Sequence, residues 1–235
     1  MMFRENYEQD LIKLLIEANA ISFGEYTLKT GRESPFFIHS GTFDNGRELK
    51  ILARCYAAAL RKKFYWAHFD VLFGPAYKGI ALASAVAVAV DDIYDDVVRY
   101  CSNRSPKDHG EMGDVLGTEI RQFDKIIIVD DVLTSGTSIY EAVEFLDEHA
   151  DVEIIGAIVA IDRCERSEYD DKISAREQLE KDCGFPVASI LTMPDITRYF
   201  HQNGIIDEIT AMRIAHYYDI YEPTAEIPAP TRNVD

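Results

Sequence analysis

Basic residues are scarce in this sequence: 24 lysines and arginines stand against 41 aspartates and glutamates, a formal charge of −17 at neutral pH. Nucleic acid and anionic membrane surfaces are held mainly by Lys and Arg neutralising charge, so neither is expected as a partner. Any anionic ligand needs a locally basic pocket. Cysteine is sparse as well: Cys55, Cys101, Cys164 and Cys183 form no CxxC pair and no metal-ligand spacing, and are expected to be reduced and structural. The six histidines are dispersed without an HExxH, so a metal should arrive with a ligand. The longest apolar run, Ile80 to Val90, is too short and alanine-rich to span a bilayer. The opening MMFRENYEQDLIKLLIEA interleaves acids with periodic apolar residues, unlike a secretory signal, which makes cytoplasm the expected compartment. Internal repeats and low-complexity stretches are also lacking.

What is present is an ordinary globular composition, 47% hydrophobic and 28% charged over 235 residues, enough for one functional domain with a sizeable core. Helical periodicity marks Tyr7 to Ala20 and Asn45 to Lys62, and between them EYTLKTGRESPFFIHSGTF predicts a short hairpin. From about Phe69 short apolar runs alternate with amphipathic helices, the pattern of parallel strands with right-handed crossovers. Strands are predicted near Val71–Phe73, Val97–Cys101, Lys125–Val129, Ile154–Ile161 and Val187–Leu191, with helices near Gly79–Val90, Ser138–His149 and Ser174–Lys181. The expected division is 1–66 for the N-terminal helices and hairpin, which the resemblance described below makes a hood over the substrate base, 67–221 for an α/β core, and 222–235 for a proline-rich frayed tail. In open α/β sheets ligands bind beyond the carboxyl ends of the strands.

That end carries IIIVDDVLTSGTS, residues 126 to 138. Asp130 and Asp131 close a buried strand, and Thr134 to Ser138 feed a helix N-terminus, where backbone N–H groups, hydroxyls and the helix dipole suit a monophosphate. There is no Walker A lysine. Two acids beside a phosphate loop fit the vicinal hydroxyls of a ribose, with magnesium nearby, so the ligand looks like a ribose 5-phosphate. A plain strand-loop-helix junction with a hydroxyl cap remains the alternative for TSGTS alone. In GPAYKG, Gly74 and Gly79 allow close backbone approach and Lys78 offers a charge to an anion, pyrophosphate being the natural occupant. NRSPKDHGEMGD, rich in charges and turn residues, predicts a mobile loop able to close over a reacting group. A Phe-Phe pair such as Phe36 and Phe37 is, taken alone, more often core than binding surface.

The stretch IIIVDDVLTSGTS resembles the phosphoribosyl pyrophosphate (PRPP) motif of type I phosphoribosyltransferases. With FGEYTLKTGRESPFF, VLFGPAYKGIALA, NRSPKDHGEMGD and IDRCER, the sequence is similar to the orotate phosphoribosyltransferase family over roughly residues 20 to 200. The resemblance implies an open, mostly parallel twisted sheet flanked by helices with a small N-terminal hood. It also implies a homodimer with a loop shared across the interface, and magnesium-dependent transfer of ribose 5-phosphate from PRPP to orotate in UMP biosynthesis.

By that resemblance PRPP is bound by Lys29, Tyr77, Lys78, Arg104, Lys107, His109, Asp130, Asp131, Val132, Leu133, Thr134, Ser135, Gly136, Thr137 and Ser138. Lys78, Arg104, Lys107, His109, Asp130 and Asp131 take the catalytic roles. Phe37, Ile38, Thr134 and Arg163 meet orotate, and magnesium is carried by PRPP near the two aspartates without a direct protein ligand. The chain departs from the family pattern at Ser105, where a second basic residue is usual, at Met112, often glycine, and at Ile38, often aromatic. A purine phosphoribosyltransferase and a non-catalytic PRPP-binding regulator are the alternatives.

Overall fold

The computed structural model describes residues 6–28, 30–65, 67–105 and 113–224. Two helices and a hairpin come first: α1 (Tyr7–Glu17), the antiparallel strands β1 (Ile21–Thr27) and β2 (Glu33–Ile38), and α2 (Gly46–Lys63). Asn45 starts α2 by accepting the N–H groups of Arg47 and Glu48, and Arg61, Lys62 and Lys63 sit at its negative end, which favours both termini.

A six-stranded sheet follows, in the order β5-β4-β3-β6-β7-β8. Its members are β3 (Val71–Phe73), β4 (Arg99–Asn103), β5 (Val115–Gly117), β6 (Lys125–Leu133), β7 (Glu153–Asp162) and β8 (Val187–Thr192). All neighbours are parallel except β5, which returns antiparallel to β4. The crossovers are α3 (Lys78–Tyr94), α4 (Thr137–His149) and α5 (Ala175–Cys183), and the chain ends in α6 (Met193–Gln202) and α7 (Glu208–Tyr221).

Strand alternation divides the core into two layers. Ile127 and Val129 of β6 point to the side covered by α1, α2, α3, α6 and α7, while Ile126 and Ile128 point to α4 and α5. All four are fully buried. Such continuous burial explains why the central strand reads as an unbroken apolar run.

The fold class expected from sequence is present, but β5, α6 and α7 are not among the predicted elements, and several element ends differ. β6 continues two residues past the aspartates to Leu133, so Asp130 and Asp131 lie within a strand whose last residues still pair with β7. β4 starts two residues later than predicted, and α4 begins at Thr137 rather than Ser138. Among the described residues no helix is long and apolar enough to cross a membrane.

Candidate active site

The phosphate loop owes its shape to Gly136. It precedes α4 with φ of 83°, a left-handed conformation that side chains resist, and a Cβ there would stand 2.5 Å from Leu179 Cδ1. The turn brings Ser135 and Thr137 hydroxyls within 2.9 Å of each other beside the helix start. Ser138 Oγ, one turn of chain further, donates to Asp130 Oδ2. Loop, helix terminus and acid pair are thereby one unit.

The two acids have opposite strengths. Asp130 is buried, and burial together with the Asp131 charge pushes its carboxyl up to about 6, despite the bonds from Ser138 and the Asp131 N–H. Burial also acts upward on Asp131, but the Ser40 hydroxyl and the Lys78 ammonium outweigh it and hold the carboxyl below its ordinary range. Lys78 Nζ is 2.9 Å from Asp131 Oδ2 and 2.6 Å from Ser40 Oγ, which itself donates to the same carboxylate oxygen. Below this trio lies an apolar cavity of about 180 Å³ walled by Leu11, Leu52, Tyr56 and Leu82. Tyr56, fully buried, donates its hydroxyl to the Asp130 carbonyl at 2.6 Å.

Lys78 is aimed by a backbone crossing. A Cβ on Gly74 would lie 2.0 Å from the Gly79 carbonyl oxygen, so only two glycines let the strand end and helix start meet. Asn103 Oδ1 accepts the Ala76 N–H at 2.7 Å, anchoring the same turn to β4. Tyr77 projects outward, 78% exposed. Arg104 follows β4, and its N–H donates to the Asp114 carbonyl at 2.7 Å. His149 bonds Asp114 at 3.0 Å from the C-terminal turn of α4.

On the opposite side stand the hairpin and the end of β7. Phe37 and Ile38 are adjacent in β2 and therefore face opposite ways. Phe37, 37% exposed, packs against Tyr26 and His39, whereas Ile38 is buried and lines the apolar cavity. Phe36 is core, as a Phe-Phe pair in a strand usually supplies. The Arg163 N–H donates to the Leu133 carbonyl at 3.1 Å, which sets Arg163 beside Thr134. Its side chain is buried rather than displayed, with Nε 2.6 Å from Glu165 and Nη2 3.0 Å from Ser34.

A family model described as a phosphoribosyl transferase domain matches residues 39–187. Curated orotate phosphoribosyltransferases of Clostridium acetobutylicum and Clostridium beijerinckii are 43% and 40% identical to this chain, each spanning 92% of it and 98% and 97% of their own lengths. The crystal structure of orotate phosphoribosyltransferase from Francisella tularensis superposes with a TM-score of 0.75 at 32% identity, covering 90% of this chain and 98% of that one. The chain belongs to the orotate phosphoribosyltransferase family.

For a member of the orotate phosphoribosyltransferase family, the structure brings Lys78, Asp130, Asp131 and the loop from Thr134 to Ser138 together, with Thr134 and Arg163 adjoining. Lys29, Lys107, His109 and the Met112 departure lie outside the described residues. Sequence reasoning missed Ser40, Tyr56, Asn103, Glu165 and Tyr217. Tyr56 lies on the periodic face of its helix, and Asn103 and Glu165 lie inside quoted stretches, but their polar partners at Asp130, Ala76 and Tyr217, like those of Ser40, are distant in sequence and unmarked by any local pattern.

The carboxylates also bear on the metal that this family implies. All four oxygens of Asp130 and Asp131 already accept hydrogen bonds, from Ser138 and the Asp131 N–H and from Ser40, Lys78 and the Val132 N–H. These residues fit a cation that arrives complexed to a diphosphate, with the acids close by, better than one held by the protein itself.

Proposed function

We propose that this chain transfers ribose 5-phosphate from magnesium-bound PRPP to orotate, giving orotidine 5′-monophosphate and pyrophosphate in UMP biosynthesis. The observation carrying the proposal is the acid pair of β6 built into the same unit as the phosphate loop and Lys78. The 5-phosphate occupies the loop from Thr134 to Ser138 at the start of α4, and Asp130 and Asp131 accept the ribose hydroxyls. Lys78 exchanges Asp131 for the pyrophosphate. Magnesium, when bound, neutralises diphosphate charge.

Breaking the anomeric bond leaves a ribose ring with oxocarbenium character while negative charge departs, so preorganised cations and in-line positioning supply the catalysis. Lys78, Arg104 and Lys107 meet the departing pyrophosphate, His109 is donor or proton carrier, and a ring nitrogen of orotate is the nucleophile. Lys29 and Tyr77 complete the PRPP contacts. Phe37, Ile38, Thr134 and Arg163 form the orotate side. The enzyme works as a cytoplasmic homodimer whose loop NRSPKDHGEMGD, residues 103–114, serves the neighbouring subunit's site.

Orotate absorbance followed with magnesium and PRPP tests this reading, with adenine, hypoxanthine and uracil as competing bases. PRPP-dependent loss of orotate is expected, and Lys107→Ala should lower turnover by about 10²-fold or more. Consumption of a purine instead, or PRPP binding without consumption of any base, would overturn it.

A further inference from the structure

Arg163 is a cation with almost no access to water, only 3% exposed, and its neighbours decide how it points. Nε donates to Glu165 Oε1 at 2.6 Å, Nη2 to Ser34 Oγ at 3.0 Å and more weakly to the Tyr217 hydroxyl at 3.4 Å. The guanidinium lies over the Phe36 ring at 4.2 Å. None of these bonds uses Nη1. A planar fork held along one edge and one face has its remaining edge fixed in direction.

Glu165 is buried at 1% exposure and is itself shared. The Tyr217 hydroxyl donates to its Oε1 at 2.7 Å and Arg32 Nη1 to its Oε2 at 2.7 Å. Two guanidinium groups share one carboxylate, and Arg32 also borders an open cleft with Glu168, Asp170 and Asp171. Asp162, next to Arg163 in the chain, is engaged by the Cys164 N–H and by Arg176 at 3.8 Å. A buried guanidinium is best completed by an anion, and one ligand carboxylate suits its remaining edge. The cluster is tied to the end of the chain: Tyr218 donates to the Arg163 carbonyl at 2.6 Å, and the Arg166 N–H to the Tyr221 carbonyl at 2.7 Å.

We infer that Glu165 and Tyr217 are positioning residues that aim Nη1 of Arg163 at the carboxylate of the base, making α7 part of base selection. The inference rests on the proposed orotate chemistry and deepens it. Orotate differs from uracil by that one carboxylate, so disturbing the aim of Arg163 penalises orotate and spares both uracil and PRPP.

The test is steady-state kinetics of wild type, Tyr217→Phe and Glu165→Gln, with uracil as a competitive probe lacking the carboxylate and thermal unfolding measured alongside. Tyr217→Phe should raise the orotate KM by about 3- to 10-fold, the range of one hydrogen bond, and Glu165→Gln should raise it further. The PRPP KM, kcat at saturating orotate and the uracil inhibition constant should stay within about twofold of wild type. An unchanged orotate KM, or equal losses toward orotate, PRPP and uracil, overturns the inference while leaving the proposed function standing. Wild type that consumes no orotate overturns both. Should Glu165→Gln fail to fold, Tyr217→Phe decides, because it removes one oxygen and keeps the ring.

Discussion

Asp130 and Asp131 adjoin in sequence yet sit on opposite sides of the ordinary carboxylate range, because only Asp131 is held by a cation. To accept ribose hydroxyls Asp130 must be ionised, so kcat/KM for PRPP should rise with pH through about 6, a limb belonging to the free enzyme. A pH profile flat from 5 to 8 would remove Asp130 from that role. The same shift bears on stability. A carboxyl raised in the folded state holds its proton more tightly than in the unfolded chain, so stability falls as pH rises from about 4 to about 6. Asp130→Asn cannot ionise and should be more stable than wild type at pH 7 by roughly 2 kcal/mol, with the advantage fading near pH 4, as urea unfolding at the two pH values would show. It should also lose activity. Ser40→Ala strips Asp131 of a donor and Lys78 of an acceptor without touching the loop; kcat/KM for PRPP should fall by about 10-fold, and unchanged initial rates would make Ser40 a bystander.

Single elements respond through the backbone. Gly136→Ala adds a Cβ against Leu179 at a positive φ, a cost of about 1–2 kcal/mol from conformation alone, which a lowered midpoint in thermal unfolding would register together with weaker PRPP binding. This is also the scale at which the sequence is most and least readable. Val71–Phe73 and the apolar run before the aspartates declare their strands, and the Asn45 cap and the Ser174 with Glu177 capping box mark where α2 and α5 begin. β5 is three residues long and exposed at two of them, too short for any period to register. α7 carries Tyr217, Tyr218 and Tyr221 among charges, with weak amphipathic pattern, since Tyr217 and Tyr218 are there as hydroxyl donors as much as apolar mass. Arg163 is expected from its place in IDRCER to meet a carboxylate, but its burial is not legible there: Ser34 and Tyr217 lie 129 and 54 residues away, and no local signal marks such pairings.

For the whole molecule, a formal charge of −17 means that anion binding depends on local groups such as Lys78, Arg163 and the start of α4 rather than on the overall field. If the loop of residues 103–114 serves the partner's site, Lys107→Ala and Asp131→Asn subunits, each inactive alone, should complement when mixed and exchanged. Half the dimers are then hybrids with one intact site, so about a quarter of wild-type activity should return. No recovery would place the segment over its own subunit's site. The attachment of α7 to Arg163 has a consequence in the order of synthesis. The phosphate loop and acid pair leave the ribosome well before Tyr217, which follows Arg163 by 54 residues. A nascent chain therefore completes β6 and the loop after it before α7 exists, and a stop codon in α6 would remove Tyr217 together with part of the layer that covers Ile127 and Val129.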